Sequence, residues 1–468
     1  MKRKRLLALT LSLCVATSVC GCGGGNGGGK TADGKTVIKI GGWPAGSGSD
    51  FQKYESMREE FMKDNPDIKV ETDVWGFDLN TFLPKAASGQ LPDMYITSFT
   101  EIKRIIDSGY ASDVTKYMDE YKYTDYLRDD IKELISKDGK LYSVPQDAYI
   151  MGLYINLNMF EKAGLLNSDG TPKIPKTWDE LGQMAGEIKK KTGEAGFTLP
   201  TMQNCGGWHF VNIAWAFGTN PQFMKQVDGK WKADFATPET KAALEFVRDL
   251  KYKYDAIPEN ALMEHNEMIK MFATDRNAMM LATPPQDSLT QTHKMDKNKI
   301  AIVGMPAGPK GRFTQMGGNL RVLRNGLSDS QIEGCFKWLD FIGVSPNITE
   351  ESKKSREELM KINAEKDKLI GVKNFSMWKQ GSDAPEIEKF EGELIDKYRN
   401  VDSKMFEDFS KSGNEATIVP EPPVSCQQLY NILDGCIQEV LLKPDADIDG
   451  ILKKAQNDFQ INYLDKTE

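Results

Sequence analysis

The chain opens on MKRKR and runs straight into an apolar stretch, Leu6 to Val19. That stretch is shorter than the roughly 20 residues a membrane-spanning helix needs, and a basic start before a short apolar run predicts an export signal. From Val37 the pattern changes rhythm. Val37-Ile38-Lys39-Ile40 alternates and predicts a short strand, ended by Gly41-Gly42-Trp43-Pro44. Phe51, Tyr54 and Phe61 share one helical face, with Asp50 placed to cap the helix and Asp64-Asn65-Pro66 to stop it. Ile68-Lys69-Val70, leading to Trp75, predicts a second strand, and Met94-Tyr95-Ile96, after Leu91-Pro92-Asp93, a third. Strands alternating with helices predict an α/β domain on a mainly parallel sheet, with ligands beyond the carboxyl ends of the strands. Those ends are Trp43, Trp75 and Ser98-Phe99.

Further along, Thr177-Trp178-Asp179-Glu180 and Ser328-Asp329-Ser330-Gln331 read as capping boxes. Thr237-Pro238-Glu239 puts Pro at the first helical position behind a Thr cap, and Asp228-Gly229 predicts a hairpin turn. Residues 350–369 are densely charged and predict a solvated surface helix. There is no internal repeat and no later run of 18 apolar residues.

The early apolar run ends in Val19-Cys20-Gly21-Cys22, which resembles the bacterial lipobox. The resemblance implies that residues 1–21 are removed and Cys22 carries a diacylglycerol. The segment 22–35 that follows contains GGGNGGG and predicts a flexible tether with a reach of about 20 Å. Charge agrees with export rather than nucleic-acid work: the net charge is −8 with three His, and removing the signal takes away four positive charges more. Anionic lipid is likewise an unfavourable partner. The mature length predicts two or three domains. Cys205, Cys335, Cys426 and Cys436 make no disulfide framework and are expected as four buried thiols. Cys426 and Cys436 lie in one helical stretch, about 15 Å apart at 1.5 Å per residue, and cannot bridge.

The segment order resembles the extracellular solute-binding proteins of ABC importers, in the sugar-binding family that includes maltose-binding protein. The resemblance rests on FQKYESMREEFMKDNPDIKVETDVW, KAASGQLPDMYITS, DGKLYSVPQDAYIMGLYINLNMFEKAGL with PKTWDEL, MFATDRNAMMLATP with MPAGPKGR and GGNLRVLRNGLSDSQIEGCFKWLDFI, and VPEPPVSCQQLYNILDGCIQEVLLKPDADIDGILKKAQ. Residues 195–235 and 345–420 carry no strong family words. It implies two α/β lobes, a hinge of crossing strands and a cleft between. Crossings are expected near Val144–Tyr154, near Met316–Arg321 and near 370–380. Lobe one is then 37–148 plus 319–372, and lobe two 149–318 plus 373–468.

A sugar presents apolar ring faces and a belt of hydroxyls, so its site needs flat aromatic surfaces beside groups that donate and accept hydrogen bonds. Of eight Trp, the settings of Trp178, Trp215, Trp231 and Trp338 read as structural. Trp43, Trp75, Trp208 and Trp378 remain as stacking candidates. Gln146, Asp147, Tyr149, Gln286 and Asn319 are polar candidates at crossings or after Pro and Gly, with Ser98, Asp78 and Glu421 beside them. Arg321 suits either a ligand carboxylate or a hinge salt bridge.

Asp445-Ala446-Asp447-Ile448-Asp449-Gly450 starts like an EF-hand, but Gln456 stands where the bidentate carboxylate belongs and Lys453 is a further mismatch. His209, His265 and His293 show no metal spacing, and no nucleophile elbow or phosphate loop occurs. No metal and no cofactor are expected. The resulting expectation is a non-enzymatic, monomeric receptor on the outer face of a single-membrane, Gram-positive-type cell. It would bind a carbohydrate, of more than one ring on the tryptophan count, and deliver it to an ABC permease. A receptor for a glycerol-phosphodiester or a peptide-like solute is one alternative. A surface glycosidase, which needs two carboxylates about 5 to 9.5 Å apart, is another.

Overall fold

The computed structural model describes residues 29–373, 375–412 and 415–466. The export signal, Cys22 and most of the 22–35 tether lie outside the described residues. β1 (Thr36–Ile40) leads to helix α1 (Ser49–Asp64), β2 (Ile68–Thr72) and β3 (Met94–Ser98). α1 buries Phe61 and packs Phe51 and Tyr54 on the core, as their spacing predicts, but Gly48, not Asp50, is its N-cap. β1 lies between β2 and β3, parallel to both.

The sheet is mixed rather than mainly parallel, because a long strand joins its edge. β4 (Val144–Ile150) runs into β5 (Gly152–Asn156), and β8 (Gly311–Leu323) returns past both halves of the molecule. β8 pairs antiparallel with β3 at one end and with β4 along its middle. β5 is the centre of a second, three-stranded sheet between β6 (Met279–Ala282) and β7 (Ile300–Val303), antiparallel to each. β4/β5 and β8 therefore connect two bodies, close to the crossings expected at 144–154 and 316–321.

The third connection differs from the expectation. Residues 370–380 form no strand, and their one bridge joins Trp378 to Leu127. The strand lying parallel to β8 is instead β9 (Thr417–Pro420). The intervening chain holds α3 (Glu350–Glu365), α4 (Glu386–Tyr398) and α5 (Glu407–Ser412). It packs Met377, Trp378, Ile387 and Val401 with the first core, so a boundary at 373 divides a packed unit. Phe409 fits over Gly152, where a Cβ would lie 2.8 Å from its ring. The segment thus covers the seam between the two sheets. α3 is not purely a solvated helix either: Arg356 pairs with Glu391 and donates to the Gly343 carbonyl, while Leu359 and Met360 face a cavity.

The second core is built from β5–β7, α2 (Cys205–Phe217) and α6 (Cys426–Leu442). Trp178, Trp215 and Trp338 are fully buried, as their settings predict. Asp228 and Gly229 both take positive φ, the requirement of a two-residue hairpin turn, between strands Met224–Val227 and Lys230–Ala233. All four described cysteines are free thiols. Cys335, Cys426 and Cys436 are buried as expected, whereas Cys205 is half-buried.

Candidate functional site

Pairing across three strands puts a row of polar residues at the join of the two bodies. Ser98 on β3 lies opposite Asn319 on β8, and Asn319 lies opposite Asp147 on β4. The Asn319 side-chain amide donates to both Asp147 carboxylate oxygens, at 2.9 and 3.1 Å, and its backbone N–H adds a third bond at 3.0 Å. Ser98 shares a hydrogen bond with Thr100. Gly317 and Gly318 make this geometry possible. A Cβ on Gly317 would lie 2.5 Å from the Tyr149 ring, and one on Gly318 would lie 2.3 Å from the Asp147 carbonyl.

On one side of this row stands an aromatic and acidic corner. Tyr149 packs edge-on against Trp208 with ring centroids 6.4 Å apart, and Trp208 contacts the rings of His209 and His265. Glu421, just past β9, is buried here. Gln315 Nε2 donates to its Oε1 and to the Tyr430 hydroxyl, each at 2.8 Å; Tyr430 donates to Glu421 at 3.1 Å, and Trp208 hydrogen-bonds to it as well. Burial pushes the Glu421 carboxyl up to about 7, against the pull of those hydrogen bonds and with Glu101 adding to the rise. Glu101, in the turn after β3, is also buried and raised, chiefly by burial. The histidines, separate in sequence, come together with centroids 5.5 Å apart. His209 is fully buried with a carbonyl at each ring nitrogen, Cys205 at 2.7 Å and Leu281 at 3.1 Å; burial first, and His265 beside it, drive it down to about 3 against the pull of those two carbonyls.

A cavity of about 450 Å³ adjoins the row at Gln146 and Asp147. Gln146, Asp147, Pro285 and Asp287 form one wall, and Phe375, Met377 and Trp378 belong to the other. Gln286 borders it through Pro285, with its backbone N–H donating to the Tyr154 hydroxyl. The basic side chains of the lining are matched: Arg356 with Glu391, Lys368 with Asp287, Lys373 with Glu388.

The structure therefore gathers Ser98, Gln146, Asp147, Tyr149, Trp208, Asn319, Trp378 and Glu421 about one polar row, with Gln286 at its edge. It separates two others. Trp43 is a core residue: 3 % exposed, tilted on Trp338 at 5.9 Å and edge-on to Tyr54 at 5.3 Å, with its indole N–H on Glu55. Its strand-end position carries the chain into the core rather than the cleft. Trp75 is partly exposed but packs on Tyr95 and donates to Thr81 in the first turn of the helix that follows it. Asp78 caps the helix Leu79–Ala87. Arg321 is buried beneath the row and forms no ion pair among the described residues, so neither a hinge salt bridge nor an exposed carboxylate ligand describes it. Glu101 and Gln315 were not among the sequence candidates. Glu101 had a signal, standing at the end of a strand next to Ser98; Gln315 had none.

The sequence profile of bacterial extracellular solute-binding proteins matches residues 56–354. The chain belongs to that family. Its members are binding proteins that work outside the cytoplasm, so the family is not one of enzymes. The multiple sugar-binding protein of Streptococcus mutans is 28 % identical over 166 residues, 33 % of this chain and 35 % of the relative. The fold is that of the two-lobed solute receptors. Maltose-bound MalE3 of T. maritima superposes with a TM-score of 0.64 at 18 % identity, covering 91 % of this chain and 99 % of that one. UgpB of Mycobacterium tuberculosis, solved with glycerophosphocholine, gives 0.65 at 17 % identity, covering 92 % and 98 %.

Proposed function

We propose that this solute-binding protein is a lipid-anchored receptor that captures a carbohydrate, an oligosaccharide in the first instance, and delivers it to the permease of an ABC importer. The ligand would lie on the Ser98–Asn319–Asp147 row, with Trp208 and Tyr149 against an apolar ring face and Gln146, Gln286, Trp378 and Glu421 around it. The observation that carries the reading is the aromatic corner of Trp208 and Tyr149 beside hydrogen-bonding groups of both kinds, which is what a sugar requires. The lobes would be the bodies on either side of β4/β5, β8 and β9, closing by a hinge at those strands. Lys103 Nζ lies 5.8 Å above the Trp231 ring, a contact between the two bodies that a closed state would keep.

A phosphodiester suits the site less well. Phosphate asks for an unpaired cation or a free helix N-terminus. The N-terminus of α2 already holds the Asp434 carboxylate, which accepts from the backbone N–H groups of Asn204 and Gly207 at 2.8 and 2.7 Å. The cations of the cavity wall are paired, and Arg321, which forms no ion pair among the described residues, is buried beneath the row, where a bulky phosphodiester does not reach it. Two carboxylates in the corner would repel the anion.

Thermal unfolding in the presence of mono- and oligosaccharides tests the reading. A bound sugar at 100 times its Kd should stabilise the protein by about 2.7 kcal/mol. Trp208→Ala should abolish the shift while the apo Tm moves little by comparison, since Trp208 lies half-buried at the corner. A phosphodiester that raises Tm where no sugar does would overturn the choice of ligand. Mass spectrometry of the native N-terminus tests the anchor: an unmodified Cys22 removes it and leaves the receptor.

A further inference from the structure

The corner around Glu421 is unbalanced. Its donors, Gln315 Nε2, the Tyr430 hydroxyl and Trp208, are all committed to Glu421. What remains is acceptor capacity from both bodies. Glu101 is 8 % exposed, with Thr100 as its hydrogen-bond donor at 3.2 Å. Glu421 is 9 % exposed. Neither forms an ion pair among the described residues. Gln315 is completely buried, its amide end lies against Glu421, and its Oε1 has no partner. An unpartnered buried acceptor is a costly arrangement, of the kind that persists where a donor arrives with a ligand. Glu101 bears on Glu421 from the other body, and Arg104 acts on Glu101 only at a distance, without an ion pair. Two buried carboxylates and an orphan amide oxygen thus share one missing complement, a group with several N–H donors and a positive charge.

We infer that the solute carries a free amino group, bound as an ammonium between Glu101 of one body and Glu421 of the other, so that the ligand class is an amino sugar with an unsubstituted amine. The inference rests on the carbohydrate reading above. It gives the two carboxylates a joint role: each belongs to a different body, so the ammonium is fully held only when the bodies close on it. Ligand charge then becomes part of the closing signal. A neutral sugar would leave the mutual repulsion of the two carboxylates in place, and an N-acyl group would remove the charge and two of the donors.

Titration calorimetry on the full-length protein at pH 7 tests this, using four probes. They are glucosamine oligomers, their N-acetylated counterparts, malto-oligosaccharides, and spermidine as an amine without a sugar. The glucosamine oligomers should bind at least about tenfold more tightly than the N-acetylated ones, the size of one charge-assisted hydrogen bond. In Glu101→Gln that preference should shrink to about twofold. Circular dichroism and Tm establish that the variant is folded. Equal or tighter binding of neutral sugars overturns the inference and leaves the carbohydrate reading standing. Spermidine binding without any sugar binding keeps the cation site and overturns the carbohydrate reading. No binding by any of the four overturns both.

Discussion

Trp43→Ala should destabilise the protein by about 3–5 kcal/mol, the range for a buried tryptophan truncated in a packed core. The affinity of the remaining folded protein for its solute should stay as it was. The indole fills the space between Tyr54 and Trp338, and Trp338 in turn meets Phe61 edge-on at 5.2 Å and stacks on Phe341. Removing it opens a void in the middle of an aromatic cluster and leaves Glu55 without its indole donor. The packed neighbours can close such a void only in part. Denaturant unfolding gives the stability change, and calorimetry on the folded fraction gives the affinity. A nearly neutral stability change together with a lost ligand response would return Trp43 to the cleft. The contrast with Trp208→Ala is the useful comparison: one tryptophan should matter for folding and the other for binding.

That contrast also marks how far the sequence could be read. Trp43 and Trp208 both sit beside glycine pairs, and Trp43 ends a strand, so their local settings alone do not separate them. What separates them is who approaches from elsewhere. Trp338, which covers Trp43, is almost 300 residues away in the chain, and Glu421, which meets Trp208, is more than 200 away. Local rules did better where the cause is local. The strands at 36–40, 68–72 and 94–98, the Ser328 capping box and the Asp228-Gly229 hairpin all follow from periodicity, side-chain caps and backbone φ. Asp147 and Asn319 were legible as candidates because they follow Pro145 and Gly317-Gly318 at the expected crossings, yet their pairing with each other required the register of β4 on β8. The solvated helix expected over 350–369 departs from its pattern for a related reason. The charged helix α3 shows a solvated pattern, but one face closes a cavity through Arg356 and Leu359, contacts that depend on α4 and not on the helix itself. Gln315 carries no sequence signal because its importance comes wholly from Glu421, 106 residues on.

Glu421→Gln should flatten the dependence of stability on pH between about 4.5 and 7. In the parent protein the carboxyl rises from 4.5 to about 7 on folding, first through burial. The folded state therefore keeps a proton that the unfolded state has already lost across that window. Stability is then greatest below the unfolded value and falls as pH rises through the folded one, by an amount on the order of 3 kcal/mol. The groups facing Glu421 come from several elements: Glu101 after β3, Tyr149 on β4, Trp208 on α2, and Cys426 and Tyr430 on α6. Of these, Glu101 is the other carboxyl raised in the same direction, so Glu101→Gln should remove a further part of the slope. A glutamine at 421 can still accept from Gln315 and Tyr430 through its amide oxygen, so the variant should unfold at a higher temperature than the parent at pH 8. At pH 4.5 the two should lie close together. Unfolding curves of parent and variant at half-unit steps from pH 4.5 to 8 measure this directly, and the difference between the two cancels the titration of distant groups. Parallel curves, offset by a constant, would mean that Glu421 is ionised throughout and that the corner is wetter than its burial indicates. A cation between Glu101 and Glu421 favours the charged form of both, so an ammonium ligand should offset part of that loss above pH 7.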